Sequence, residues 1–173
     1  MSTSPKQATA VSLRPTRDDL DAVVLDFDGT QTDDRVWITA DGTEMVAVHR
    51  GDGLGIAALR RARLRVLILS SEVNPVVSAR AVKLRVPALQ GIDDKGAELL
   101  RWCDEHHVDP ARTLYLGNDV NDIGCFKVVG WPVAVASAWP EVLPYVRLVT
   151  TVPGGHGAVR EVAAWILGKD LIP

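Results

Sequence analysis

Val23-Val24-Leu25-Asp26-Phe27-Asp28-Gly29-Thr30-Gln31-Thr32-Asp33 decides how the rest of the chain is read. An apolar, β-branched run ends in two aspartates at i and i+2, and Gly-Thr follows at once. Such a run reads as a buried strand. Polar residues at its carboxyl end fall where open α/β sheets bind ligands. Two carboxylates converging there repel each other unless a proton or a cation lies between them. A hard metal such as Mg²⁺, with an anionic, phosphorylated substrate, meets that need. Taken alone, Asp28-Gly29 would also make an ordinary turn, so the remaining chain must choose.

Working outward, strand and helix signals alternate. The first strand covers about 22–27. Residues 35–48 hold two β-prone runs around Asp41-Gly42, a hairpin signal. Gly51 to Gly55 breaks the pattern, and 56–62 is helical. A buried strand is expected over 64–69. A helix follows over 75–84, with Asn74 as its cap and Pro75 in its first turn. Further strands fall at 87–90, 113–116, 133–136 and 148–151, and further helices at 93–106, 119–129 and 158–167. The alternation predicts an α/β fold, a doubly wound and mostly parallel sheet. The hairpin directly follows Asp26 and Asp28, so it can act as a flap over them. Residues 1–19 have no sustained period and read as a flexible N-terminal tail. Residues 20–173 read as a single domain.

Composition excludes several classes. At 173 residues the chain has room for one domain with a full core, and 47% hydrophobic residues lie outside the disordered range. A formal charge of −3 argues against a nucleic-acid partner. Cys103 and Cys125 fit no zinc or disulfide pattern. No apolar run approaches a membrane span, and Met1 to Ala10 lacks a signal-peptide core. A cytoplasmic location is expected.

Four polar elements follow strand ends in order. They are Asp26 and Asp28; Ser70, after Val66-Leu67-Ile68-Leu69; Lys95, at a helix start; and Gly117-Asn118-Asp119-Val120-Asn121-Asp122, after Leu114-Tyr115-Leu116. Singly, Ser70 is an ordinary helix-entry serine and Lys95 a solvated helix lysine. Together, over nearly all of 20–167, the four resemble the haloacid-dehalogenase (HAD) superfamily of phosphohydrolases, with its DxDGT, Ser/Thr, Lys and GDxxxD elements. The resemblance implies a three-layer, Rossmann-like sheet and a Mg²⁺ cofactor. In that scheme Asp26 attacks phosphorus and forms an aspartyl-phosphate. Asp28 protonates the leaving alkoxide and then activates water, with its carbonyl facing the metal. Ser70, or Ser71 in its place, donates to the phosphoryl group, and Lys95 supplies a fixed charge. Thr30 and Thr32 are counted with the substrate-binding residues. One position departs from the pattern. Asn118 stands where the superfamily has Asp, so either Asn118 or Asp119 meets the metal, while Asp122 orients a metal-bound water.

Asp28 and Ser71 are 43 positions apart, which leaves no room for a large cap domain. The chain therefore resembles the capless branch that includes phosphatases of octulosonate 8-phosphate and of nonulosonate (KDN or N-acylneuraminate) 9-phosphates. A related module is fused behind some sialic acid cytidylyltransferases. Arg50-Gly51-Asp52-Gly53-Leu54-Gly55 and Gly154-Gly155-His156-Gly157-Ala158-Val159-Arg160-Glu161 resemble further signatures of that branch. The resemblance implies a small phosphorylated sugar-acid substrate. It also implies a homotetramer in which neighbouring subunits complete each site, with His156 and Arg160 brought towards a neighbour. Gly154 to Gly157 read alone is a flexible loop before a helix. Glu72, Arg80 and Lys83 resemble the trio of KDN 9-phosphate phosphatase, which favours a nonulosonate; read alone, Arg80 and Lys83 lie on a solvated helix face. Two other readings remain: a phosphatase of another metabolite, for example in natural-product biosynthesis, and a non-catalytic interaction module.

Overall fold

Each residue of Ala22–Leu25 is fully buried because this strand, β1, lies at the middle of a sheet covered on both faces. The computed structural model describes residues 14–168. Its main sheet also contains β4 (Arg65–Leu69), β5 (Ala88–Leu89), β6 (Thr113–Gly117), β7 (Trp131–Ala134) and β8 (Leu148–Val149), in the order β5-β4-β1-β6-β7-β8. Every neighbouring pair runs parallel, with Val23 opposite Val66 on one side and Leu114 on the other. Side chains alternate between faces along a strand. Val23 and Leu25 pack with α1 (Arg50–Arg61), α2 (Pro75–Leu84) and α5 (Ala158–Leu167), through Ile56, Leu59, Val77, Ala81 and Val162. Ala22 and Val24 pack on the opposite face with α3 (Lys95–Glu105) and α4 (Ile123–Val128), through Leu99, Trp102 and Phe126. The result is the expected three-layer, doubly wound arrangement.

Chain order decides where a ligand can enter. From β1 the chain moves outward to β4 and β5, then crosses back to β6 on the other side of β1. The reversal point lies between β1 and β6, and the crevice above such a point is the usual ligand site of open α/β sheets. The expected hairpin is a separate pair of two-residue strands, β2 (Trp37–Ile38) and β3 (Glu44–Met45), turning at Gly42.

Several boundaries differ from expectation, β7 by two residues (131–134 rather than 133–136), and three differences have a visible cause. Helix α1 begins at Arg50 and runs through Gly51, Gly53 and Gly55. Gly55 belongs there because a Cβ would come within 3.0 Å of Arg160 Cα and 3.2 Å of Ala163 Cβ on α5. Close helix packing outweighs the poor helix propensity of glycine. The helix expected over 119–129 divides into a 3₁₀ turn, Val120–Asp122, and α4. Residues 1–13 of the expected tail lie outside the described residues, but its last part is tied down. Arg14 sits over the Trp165 ring at 4.4 Å, and Arg17 Nε donates to Ala62 O at 2.7 Å.

Candidate active site

The loop after β1 is folded by its own polar groups. Thr30, Gln31 and Thr32 donate their main-chain N–H groups to Phe27 O, and Gln31 Nε2 donates to Asp26 O at 3.1 Å. Gly29 turns through φ 77° and donates to Thr32 Oγ1 at 3.0 Å. A Cβ on Gly29 would lie 2.0 Å from Asn118 Nδ2, so glycine lets the β1 and β6 loops meet. Thr30 and Thr32 are fully buried under this loop. Their expected contact with substrate is corrected here: they shape the loop that carries the two aspartates.

Lys95 is fully buried and bridges two carboxylates, Asp26 Oδ1 at 2.6 Å and Asp122 Oδ1 at 2.8 Å. Burial alone would strip its proton. The charges of Asp26 and Asp122 reverse that and hold Lys95 above the ordinary lysine range. The solvated-lysine reading therefore fails for Lys95. Burial, with the Asp122 charge, pushes Asp26 upward against the pull of Lys95. Asp122 has no room for a metal. Its Oδ1 also accepts from Tyr115 OH at 2.6 Å, and its Oδ2 accepts from the N–H groups of Asn118 and Asp119 at 2.8 and 3.2 Å. The expected metal role of Asp122 becomes one of holding Lys95 and the 117–119 turn.

Asn118 sits where the metal question is decided. The inward atom of its side-chain amide lies 2.8 Å from Asp26 Oδ2, 2.8 Å from Asp28 O and 3.2 Å from Thr30 Oγ1. With nitrogen inward, the amide donates to these oxygens and satisfies the metal-free pocket. With oxygen inward, Asp26 Oδ2, Asp28 O and Asn118 Oδ1 face one another, and the Thr30 hydroxyl, 3.2 Å from Asn118 Oδ1, is the one donor beside them. That is a cation's environment, since adjacent octahedral ligands of Mg²⁺ stand about 3 Å apart. The donor set is all oxygen: one carboxylate, one main-chain carbonyl and one amide. Among the described residues no three His, Cys, Asp or Glu side chains form a metal cluster, so the main-chain and amide oxygens are what make this set. Asp119 turns its Oδ1 to cap Val120 N at 2.6 Å. Asn118, then, is the group that reaches Asp26 and Asp28.

A cavity of about 230 Å³ opens over these groups, lined by Asp26, Asp28, Ser70, Ser71, Asn118 and Asp119 among others. Ser70 is placed by strand-like bonds from its N–H to Leu89 O and from Ile92 N–H to its own carbonyl, and its Oγ accepts from Glu72 N at 3.1 Å. Glu72 and Asp34 also line the cavity, and sequence reasoning missed Asp34. Asp34 has φ 67°, a left-handed conformation that Asp tolerates better than most residues. Burial pushes Asp28 up to about 6, and the charges of Glu72, Asp34 and Glu44 add to this against Lys95. Asp28 therefore holds a proton more readily than an ordinary aspartate. Glu72 also lines two neighbouring spaces of about 200 and 620 Å³ between the hairpin and the start of α2.

The remaining expected residues are dispersed. Arg80 Nη2 donates to His49 O at 3.3 Å beside buried Asp52, and exposed Lys83 lies further along α2. Neither lines the cleft. Arg160 donates its main-chain N–H to Asp52 Oδ1 at 2.9 Å. His156 borders a different cavity of about 240 Å³, its Nδ1–H donating to Gly154 O at 2.8 Å. Gly154 and Gly155 are packed hard against the Asp26–Asp28 loop of their own chain: a Cβ on Gly154 would lie 1.8 Å from Gly29 O.

Comparison with known proteins agrees with this geometry. Residues 90–161 match the haloacid dehalogenase-like hydrolase family. The chain is 34% identical over 146 residues to the 3-deoxy-D-manno-octulosonate 8-phosphate phosphatase of Yersinia pestis, covering 84% of this chain and 78% of that one. It is 32% identical over 149 residues to an N-acylneuraminate cytidylyltransferase A of Danio rerio, covering 84% of this chain but only 34% of the relative's length. Among solved structures, one assigned to the HAD hydrolases from Streptomyces avermitilis MA-4680 is 65% identical, with a TM-score of 0.89 and 91% of each chain covered. The Moraxella catarrhalis 3-deoxy-D-manno-octulosonate 8-phosphate phosphatase, solved with magnesium, phosphate and KDO, is 28% identical, with a TM-score of 0.82 and 85% of each chain covered.

Proposed function

The chain belongs to the haloacid dehalogenase-like hydrolases and is a phosphatase of that family, and we propose that it hydrolyses the phosphomonoester of a small sugar acid with Mg²⁺. The observation that carries this reading is the meeting of Asp26 Oδ2, Asp28 O and the Asn118 amide beside the Lys95–Asp26 pair. Mg²⁺ held there by Asp26, Asp28 O and Asn118 supplies charge neutralisation for the phosphoryl oxygens.

The chain's own groups do the rest. Lys95 holds Asp26 Oδ1 at 2.6 Å and so fixes the carboxylate at the edge of the cavity it lines, the place of an in-line nucleophile. Asp28, with its raised pKa, carries the proton that the leaving alkoxide needs. Once it has given the proton up, it is the base that takes one from the attacking water. Ser70 N–H and C=O are used by the sheet, which leaves its hydroxyl to donate to a phosphoryl oxygen.

A nonulosonate preference depended on Glu72, Arg80 and Lys83 acting together. Only Glu72 lines the cleft of this chain, so octulosonate 8-phosphate is the first substrate to test, with a nonulosonate 9-phosphate as the second. Assembly is proposed as a homotetramer. The test is hydrolysis of p-nitrophenyl phosphate and of both sugar-acid phosphates, with and without Mg²⁺. Activity should require the metal, and Asp26→Asn should lose several orders of magnitude of kcat while keeping its fold. Near wild-type turnover in Asp26→Asn would reject the mechanism.

A further inference from the structure

The cleft beside the phosphoryl site is crowded with carboxylates. Asp28, Asp34, Glu44 and Glu72 line the part nearest the hairpin. A sugar acid carries a carboxylate of its own, and it would be repelled from most of this surface. Arg35 is the one Lys or Arg among the described residues that line these three neighbouring cavities. It also lines the neighbouring cavity of about 240 Å³ with Asp33, Ser137, Gly154 and His156. Arg35 therefore borders both spaces.

Its surroundings leave it free to bind. The main-chain N–H of Arg35 donates to Asp33 Oδ1 at 3.3 Å, which uses that carboxylate oxygen. The guanidinium makes no hydrogen bond or ion pair among the described residues. In the same cavity Ser137 Oγ accepts from Gly154 N at 3.1 Å, so its O–H remains available to donate. A guanidinium and a hydroxyl bordering one space can together hold a carboxylate, and the Asp33 carboxylate beside them has one oxygen taken up by Arg35 N–H. We propose that Arg35 is a specificity-determining residue that reads the carboxylate of the substrate's leaving group, with Ser137 as its partner donor. The carboxylates of Asp28, Asp34, Glu44 and Glu72 then disfavour that carboxylate along the hairpin side of the cleft. Arg80 and Lys83, the cations that the family resemblance implies for this task, line none of these cavities.

The inference rests on the reading of the protein as a sugar-acid phosphatase, and a matched pair of substrates separates the two. Gluconate 6-phosphate and glucitol 6-phosphate share an open six-carbon chain and its phosphate and differ only in carboxylate against hydroxymethyl at the far end. Wild type, Arg35→Gln and Arg35→Lys are assayed on both, with rates normalised to p-nitrophenyl phosphate turnover of the same preparation. Wild type should favour the gluconate ester. Arg35→Gln should lower its kcat/KM on that ester about tenfold, the effect of one charge-assisted hydrogen bond. The loss should lie mainly in KM and bring the ratio between the two esters close to one. Arg35→Lys should keep part of the preference, since it keeps the charge but not the planar fork. A wild-type enzyme without the preference, or an Arg35→Gln ratio equal to wild type, overturns the role of Arg35. Absence of any phosphomonoester hydrolysis overturns the phosphatase reading itself.

Discussion

Asp122 Oδ1 holds two donors at once, the Lys95 ammonium and the Tyr115 hydroxyl, in a place without solvent. Tyr115→Phe keeps the ring and its edge contact with Phe126 but removes one donor. The freed oxygen should draw Lys95 towards Asp122 and loosen its hold on Asp26. We expect kcat to fall about tenfold with KM little changed. Unchanged kcat in a folded Tyr115→Phe protein would show that the hydroxyl does not support the pair. A second residue-scale prediction concerns Asp28. Its folded pKa of about 6 exceeds the ordinary 3.8, so the fold favours its protonated form. Stability from that proton is complete below pH 3.8 and is lost as the pH rises through about 6. Asp28 is only half-buried, so solvent screening reduces the effect to about 1 kcal/mol. Urea unfolding in chelator should show wild type losing about this much more than Asp28→Asn between pH 4.5 and 7. Parallel pH curves for the two proteins would remove Asp28 from the account.

At the scale of elements, the catalytic loop is held from outside by the segment before α5. Gly155 N donates to Thr30 O at 3.1 Å, and a Cβ on Gly154 would strike Gly29 O. Gly154→Ala must therefore displace the loop that carries Asp26 and Asp28. Misplacement by about 1 Å costs on the order of a hundredfold in rate, and we expect that loss in kcat together with weaker activation by Mg²⁺. Wild-type kcat in Gly154→Ala would mean that the loop yields without cost. This contact also marks what the sequence could and could not reveal. Strands such as Val23–Leu25 and Val66–Leu69 were legible because buried parallel strands are apolar throughout. Asp26, Asp28, Ser70 and Lys95 were legible because each follows such a strand or opens a helix. The burial of Thr30 and Thr32, the orientation of Arg80 and the roles of Arg35 and Tyr115 were not, since they depend on contacts between distant segments. Local pattern likewise marked Gly51 to Gly55 as a break. Contacts with distant segments explain the glycines there: a Cβ on Gly55 would crowd α5, and one on Gly53 would crowd Leu84 of α2.

For the whole molecule, the hairpin is the feature that a single copy does not explain. Trp37 is 70% exposed, Ile38 66%, Met45 52% and Val36 46%, on a pair of strands two residues long. A lone two-stranded hairpin is marginal in water, and contiguous exposed apolar surface marks an interaction site. The unpaired strand edges offer the same surface to another copy that they receive from it. Closed symmetry then limits the assembly to a finite ring, for which we propose four subunits. The hairpin connects the Asp26–Asp28 loop to α1, and its Glu44 borders the cleft. Pairing hairpins would therefore fix one wall of each cleft. Trp37→Ser with Ile38→Ser removes apolar surface without touching the β1 or β6 loops. Sedimentation should show this variant dissociating, and kcat/KM on octulosonate 8-phosphate should fall further than kcat on p-nitrophenyl phosphate, which needs less of the cleft. A wild-type protein that is fully active as a monomer at assay concentration would reject the assembly. A dissociated variant with wild-type kcat/KM on octulosonate 8-phosphate would keep the assembly but show that each chain completes its own site.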